Sequence, residues 1–184
     1  MSDAPDWSTI PAPEDDGAAA HLEGRAWPAI TLPGTDGQGH DISKLRGTVV
    51  VFVYPKTGRP GAALPDGWDE IPGARGCTPQ VCSFRDLSHD LADLGVGGVF
   101  GLSTQDTTYQ AEAAERLRLP FPLLSDENLV LADELNLPRM RVDGMRLLKR
   151  MALVIEDGRI AKVFYPVFPP DRNAADVLDW LRSR

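Results

Sequence analysis

Cysteine is nearly absent from this chain: Cys77 and Cys82 are the only two among 184 residues. So low a number excludes a disulfide-dense secreted scaffold, and in a reducing compartment a purely structural bridge between them would stand open. Histidine is scarce as well. His21, His40 and His89 are scattered along the sequence, so no second ligand pair at zinc spacing joins the two thiols, and a metal centre is not expected. Basic side chains are outnumbered by acidic ones, 19 to 27, for a formal charge of −8. That balance repels polyphosphate and anionic lipid, which argues against nucleic acid and membrane surfaces as partners. No apolar run is long enough to cross a bilayer, and the first residues, MSDAPDWSTIPAPEDD, lack the basic and apolar regions of a secretory signal. The expected location is the cytoplasm.

What is present fits an ordinary globular chain, with 42% hydrophobic and 25% charged residues. A chain of this length buries roughly 70% of the surface its unfolded form exposes, enough for one core. Residues 1–24, rich in Pro, Ala, Asp and Glu and without periodicity, read as a mobile tail ahead of a domain spanning 25–184. Within that domain VVVFVYP, at 49–55, is an unbroken β-branched and aromatic run, the pattern of a strand buried on both faces. GGVFGLS at 97–103 and FPLLSD near 125 predict two more strands, with DTTYQAEAAERLRL and ENLVLADELNL as helices between and after them. MALVIEDGRIAKVFY predicts a hairpin turning at Asp157-Gly158, and RNAADVLDWLRSR a terminal amphipathic helix. Strands alternating with helices, closed by a hairpin, imply an α/β fold: a thioredoxin-like mixed central sheet with helices on both faces.

The chemistry concentrates at the first strand-to-helix junction, GARGCTPQVCSF. Thr78 is placed to cap a helix and Pro79 suits its first turn, with Val81, Phe84, Leu87, Leu91 and Leu94 recurring until Gly95. Cys77 then sits at a helix N-terminus, where free N–H groups and the dipole favour an anion, so its thiolate is favoured over that of Cys82 in the helix interior. Residues five apart in a helix have Cα atoms about 8.6 Å apart, whereas a disulfide needs ~7 Å or less. A Cys77–Cys82 bond therefore requires the first turns to unwind. Spacing alone leaves two readings open, a redox pair or two small buried hydrophobes.

VFVYPK and GCTPQVCSFRD resemble the two ends of the peroxiredoxin signature YPxxxTPGCTxxxCxFRD. LPGTDGQGHDISKLRG, VFGLSTQD, FPLLSDENLVLADELNL and KRMALVIEDGRI follow in the family's order. The chain is thus similar to the AhpC/TSA superfamily, above all to its bacterioferritin comigratory or peroxiredoxin Q type. The resemblance implies a thiol peroxidase that reduces hydrogen peroxide or organic hydroperoxides. Cys77 matches the peroxidatic cysteine, which becomes a sulfenic acid; Cys82 matches the resolving cysteine, which closes an intrachain disulfide. Thioredoxin or a similar dithiol would reopen it, in a monomer or weak homodimer, and no metal, haem or flavin is called for. Arg150 matches the arginine beside the reactive sulfur; without the resemblance it reads by default as a strand-end surface residue. Arg85 is expected to pair with the scaffold.

One departure stands out. Pro55 and Cys77 are 22 positions apart, much farther than in the family, so residues 57–76 form an insertion. Thr57 is the only threonine left in that interval and inherits the family threonine's place on the sulfur, unless it is a turn residue and Arg59, Arg75 or a backbone N–H substitutes. The insertion, with Trp68 at its middle, is expected to be a lid or a contact surface. Two non-peroxidase alternatives remain, a redox sensor and a thioredoxin-like protein disulfide reductase; the latter usually carries C-x-x-C.

Overall fold

The computed structural model describes residues 5–184. Strand β3 (Thr48–Val53) lies at the centre of a five-stranded sheet in the order β5-β4-β3-β8-β9. Strands β4 (Val96–Ser103) and β5 (Leu123–Ser125) extend it in parallel, while β8 (Met151–Glu156) and β9 (Arg159–Phe164) add antiparallel strands on the other side. The period of two along β3 divides its side chains between two cores. Val49, Val51 and Val53 join one core, and Val50, Phe52 and Tyr54 the other. Helices cover both faces. On one side pack α1 (Cys77–Asp86), α2 (Ser88–Asp93), α3 (Thr107–Arg116) and α5 (Asn173–Arg182); on the other, α4 (Val130–Leu135) packs beside Leu22, Trp27 and Ile42. The expected mixed sheet with two covered faces is what the chain forms.

Three local expectations are corrected, and one element is added that the sequence pattern had not predicted. Residues 5–24 are not a mobile tail: Leu22 is fully buried, and Asp16 accepts bonds from Lys149 Nζ and the Tyr165 hydroxyl, both at 2.7 Å. Trp7 Nε1 donates to Asp171 at 2.9 Å. The segment has no periodicity because single residues, not a face, hold it down. Residues 1–4 of the expected tail lie outside the described residues. Helix α1 begins at Cys77 with Gly76 as its cap, in the left-handed region at φ 105°, so Thr78 lies inside the helix and does not cap it. The run from Val81 to Leu94 is two helices divided at Leu87, whose ψ of 12° breaks the first. Finally, residues 139–148 form a hairpin, β6 (Arg139–Val142) with β7 (Met145–Leu148), that turns on Asp143-Gly144. Two short strands, β1 (Leu32–Pro33) and β2 (Gly39–His40), make a separate pair before β3.

The insertion is built onto that hairpin. Trp68, 4% exposed in a short 3-10 turn, packs with Ala74 against Val142 and Leu147 in a small core of their own. The buried indole thus joins the loop to the hairpin through apolar contact rather than through regular structure.

Candidate active site

Strand β3 ends at Val53 and α1 begins at Cys77, so the insertion runs between the edge of the sheet and the helix that carries the first thiol. Gly76 permits the approach. A Cβ there would stand 2.4 Å from Pro170 Cγ and 2.9 Å from the Trp7 ring, and its positive φ already disfavours a side chain. Cys77 is 4% exposed, at the floor of an open pocket of about 280 Å³.

Two donors converge on its sulfur. Arg150 Nη2 donates at 3.4 Å and the Lys56 backbone N–H at 3.4 Å. Sγ also lies 3.6 Å from Ala74 O, the acceptor available to its proton while it is a thiol. Arg150 itself is 3% exposed and has no carboxylate partner among the described residues. Its guanidinium is held by the carbonyls of Gly73 (3.2 Å), Ala74 (3.0 Å) and Arg75 (3.0 Å), and by Gln80 Oε1 at 2.6 Å. Burying a cation among neutral acceptors leaves several kcal/mol uncompensated. The Cys77 sulfur, 3.4 Å from Arg150 Nη2, is the one further side-chain acceptor that the guanidinium meets among the described residues.

Gln80 is the residue the sequence reading overlooked. Fully buried, it accepts from Arg150 while its Nε2 donates to Asn173 Oδ1 at 2.9 Å and to Val53 O at 3.3 Å. Val53 of β3 and Asn173 of α5 thereby fix the amide of α1 that meets the guanidinium. The signal was available: Gln80 lies three residues after Cys77, on the same face of the helix.

Of the four residues expected at the site, the fold brings Cys77 and Arg150 together and sets the other two apart. Thr57 is 1% exposed, but its hydroxyl and its N–H both donate to Gln105 Oε1, at 3.1 and 3.0 Å, and its carbonyl accepts from Gln105 Nε2. The expected hydroxyl contact to the sulfur is replaced by the neighbouring backbone N–H, that of Lys56. Shortening the interval between Pro55 and the threonine moved the side chain off the thiol and onto the loop after β4. Cys82 lies in the same unbroken helix as Cys77; it is half-buried, and both thiols are free. Burial pushes the Cys82 thiol up, with nearby Asp86 adding to the effect and Arg85 opposing it. Arg85 plays the scaffold part foreseen for it, donating to Asp86 at 2.8 Å and to Leu117 O at 3.0 Å.

The aromatic and proline-rich stretch 164–170 closes the back of the site. Phe168 meets Trp7 edge to face, Pro170 abuts Gly76, and Tyr165 and Pro166 line a cavity of about 100 Å³ behind Arg150. Among the described residues no three His, Cys, Asp or Glu side chains are grouped to hold a metal ion. Nor is any described helix long and apolar enough to cross a membrane.

Comparison with known proteins agrees with this arrangement. The Redoxin family model matches residues 22–178. Peroxiredoxin Q of Populus jackii, a chloroplastic protein, is 31% identical over 162 residues, covering 88% of this chain and 68% of its own. A Mycobacterium tuberculosis protein named as a peroxiredoxin is 32% identical over 155 residues, or 83% of this chain and 90% of that one. The crystal structure of peroxidoxin BcpB from the same organism superposes with a TM-score of 0.69 at 29% identity, covering 89% and 98% of the two chains. A thiol at the sheet-to-helix junction with an arginine on its sulfur, inside a sequence related along most of its length to these proteins, places the chain in the Redoxin family, among the peroxiredoxins of the Q and bacterioferritin comigratory type.

Proposed function

We propose that this thiol peroxidase works through Cys77 as the peroxidatic sulfur and Cys82 as the resolving one, on hydrogen peroxide or organic hydroperoxides. The thiolate of Cys77 attacks the distal oxygen, the O–O bond breaks, and the departing alkoxide or hydroxide takes a proton from water. Arg150 and the Lys56 N–H, already directed at the sulfur, are placed to hold the two oxygens as negative charge passes from one to the other. Cys77 is left as a sulfenic acid. The Cys82 sulfur then displaces its hydroxyl, which leaves as water with the proton given up by the Cys82 thiol, and forms the intrachain disulfide, which thioredoxin or a similar dithiol reduces with two electrons and two protons. The cycle suits a reducing compartment such as the cytoplasm. Exposed large hydrophobics Leu64, Leu94 and Val130 lie on separate elements, in keeping with a monomer or weak dimer.

Carrying this reading is the buried guanidinium of Arg150, whose available counter-charge is the Cys77 sulfur. The resolving step has a structural cost. With both thiols in one intact helix, bond formation requires residues 77–82 to unwind. Gln80 lies between them and would be withdrawn from Arg150, Val53 and Asn173 as they do so. Disulfide closure and loss of the positioning network are therefore one motion.

The test is intact mass after one equivalent of hydrogen peroxide, followed by alkylation. The expected product is lighter by both thiol hydrogens and takes up no alkyl group. Cys82→Ser should leave a sulfenic acid that a dimedone probe captures, and Cys77→Ser should consume no peroxide. Normal turnover in Cys77→Ser would reject the assignment.

A further inference from the structure

The mouth of the Cys77 pocket is basic, although the protein as a whole is acidic. Lys56, Arg59, Arg75 and Arg116 line it, and no carboxylate among the described residues does. Two acids lie just outside: Glu112 pairs with Arg116 at 2.7 Å and with Arg59 at 3.6 Å, and Asp69 pairs with Arg75 at 2.6 Å. The four cations outnumber the two acids paired with them, on a chain whose formal charge is −8.

These cations are held in place. The Arg59 guanidinium stacks 4.0 Å from the centroid of the Tyr109 ring, and Lys56 Nζ lies 5.0 Å from the same centroid. Arg116 donates to Gly58 O at 3.0 Å and so ties the insertion to α3. The buried Arg59 Nε is the atom that faces Glu112, at 3.6 Å, too far for a hydrogen bond. A guanidinium on an aromatic face keeps its edge N–H groups free for a planar anion. The opposite wall is apolar: Trp68, Pro60, Pro79 and the 44% exposed Leu64.

At about 280 Å³ the pocket exceeds what hydrogen peroxide fills, since a water's share of liquid volume is about 30 Å³. We infer that the insertion builds a subsite for the body of an organic hydroperoxide that carries a fixed anion such as a carboxylate. Its apolar part rests on Leu64 and Trp68, its anion meets Arg59 and Arg75, and its peroxide reaches Cys77. This rests on the peroxidase assignment above. Specificity follows from charge: the anion is drawn to the rim, and a neutral analogue of the same shape is not. Because the rim arginines are between a quarter and a half exposed, the preference weakens as salt rises.

The experiment uses a charged and neutral pair, cumene hydroperoxide bearing a para-carboxylate and its methyl ester, which differ by one methyl group and the charge. Consumption of each by the full chain is followed with a dithiol reductant. The carboxylate is expected to be used about tenfold more efficiently in kcat/KM, with the ratio falling as sodium chloride is raised. In Arg59→Gln combined with Arg75→Gln the ratio is expected to collapse toward one. A ratio near one in the unmodified protein, or a ratio that survives the double substitution, overturns the subsite while leaving the peroxidase intact. Failure to consume the ester and hydrogen peroxide alike overturns both, so the two failures are distinct.

Discussion

Arginine appears in two settings around the same sulfur, at the back wall and at the mouth, and the physics differs. Arg150 is 3% exposed, and its oxygen acceptors are all neutral, three carbonyls at the end of the insertion and the Gln80 amide on α1. The arginines at the mouth are partly solvated and paired with Glu112 or Asp69. A buried unpaired cation keeps its field, because little solvent and no carboxylate cancels it. An exposed paired one is screened and contributes little to stability. The back wall can therefore set the reactivity of the thiol, and the mouth can at most sort what reaches it.

The sharpest way to break that contrast is Arg150→Lys. An ammonium keeps the charge but loses the planar fork that meets the carbonyls of residues 73–75, Gln80 and the sulfur together. Peroxide consumption is expected to fall about 10²–10³-fold, the scale of losing a donor aimed at developing charge, while circular dichroism shows the fold retained. Activity within about threefold of the parent, against that expectation, would mean that the guanidinium is not the counter-charge of Cys77.

A smaller effect is expected at Gln80, which touches the arginine and not the sulfur. Gln80→Leu strands Asn173 Oδ1 and one Arg150 N–H, a loss of about 1–3 kcal/mol in denaturant unfolding. A structural role alone predicts that Gln80→Glu, which restores the acceptor, also restores activity. A positioning role predicts otherwise: the new carboxylate competes with the sulfur for the guanidinium, so stability recovers in part while the peroxide rate stays low.

The contrast also marks what the sequence could reveal. The buried β3 run, the Asp157-Gly158 hairpin and the junction carrying Cys77 were legible because each is a local pattern. Arg150 became legible only through the family signature, since nothing around it in sequence distinguishes it from the other arginines. The packed course of residues 5–24 was not legible, because Trp7, Asp16 and Leu22 each find a different distant partner and leave no period behind. Thr57 misled for a related reason. Residue type and proximity to Pro55 suited the sulfur, but the insertion changed the path of the chain, and Gln105, 48 residues away, took the hydroxyl. Contacts closed by tertiary structure are invisible to a reading that sees only spacing.

The mouth offers the mildest test, and it bears on the same distinction. Arg59→Gln removes a stacked cation from Tyr109 and a 3.6 Å ion pair from Glu112, yet Glu112 keeps its 2.7 Å partner in Arg116. A partly exposed pair of this kind is worth about 0–1 kcal/mol, which for a chain of this size shifts the thermal midpoint by about 2–4 °C at most. Calorimetry of the single variant should find a drop no larger than that. A much larger one would show that Arg59 holds the insertion in place, and the division between a structural back wall and a selective mouth would then have to be redrawn.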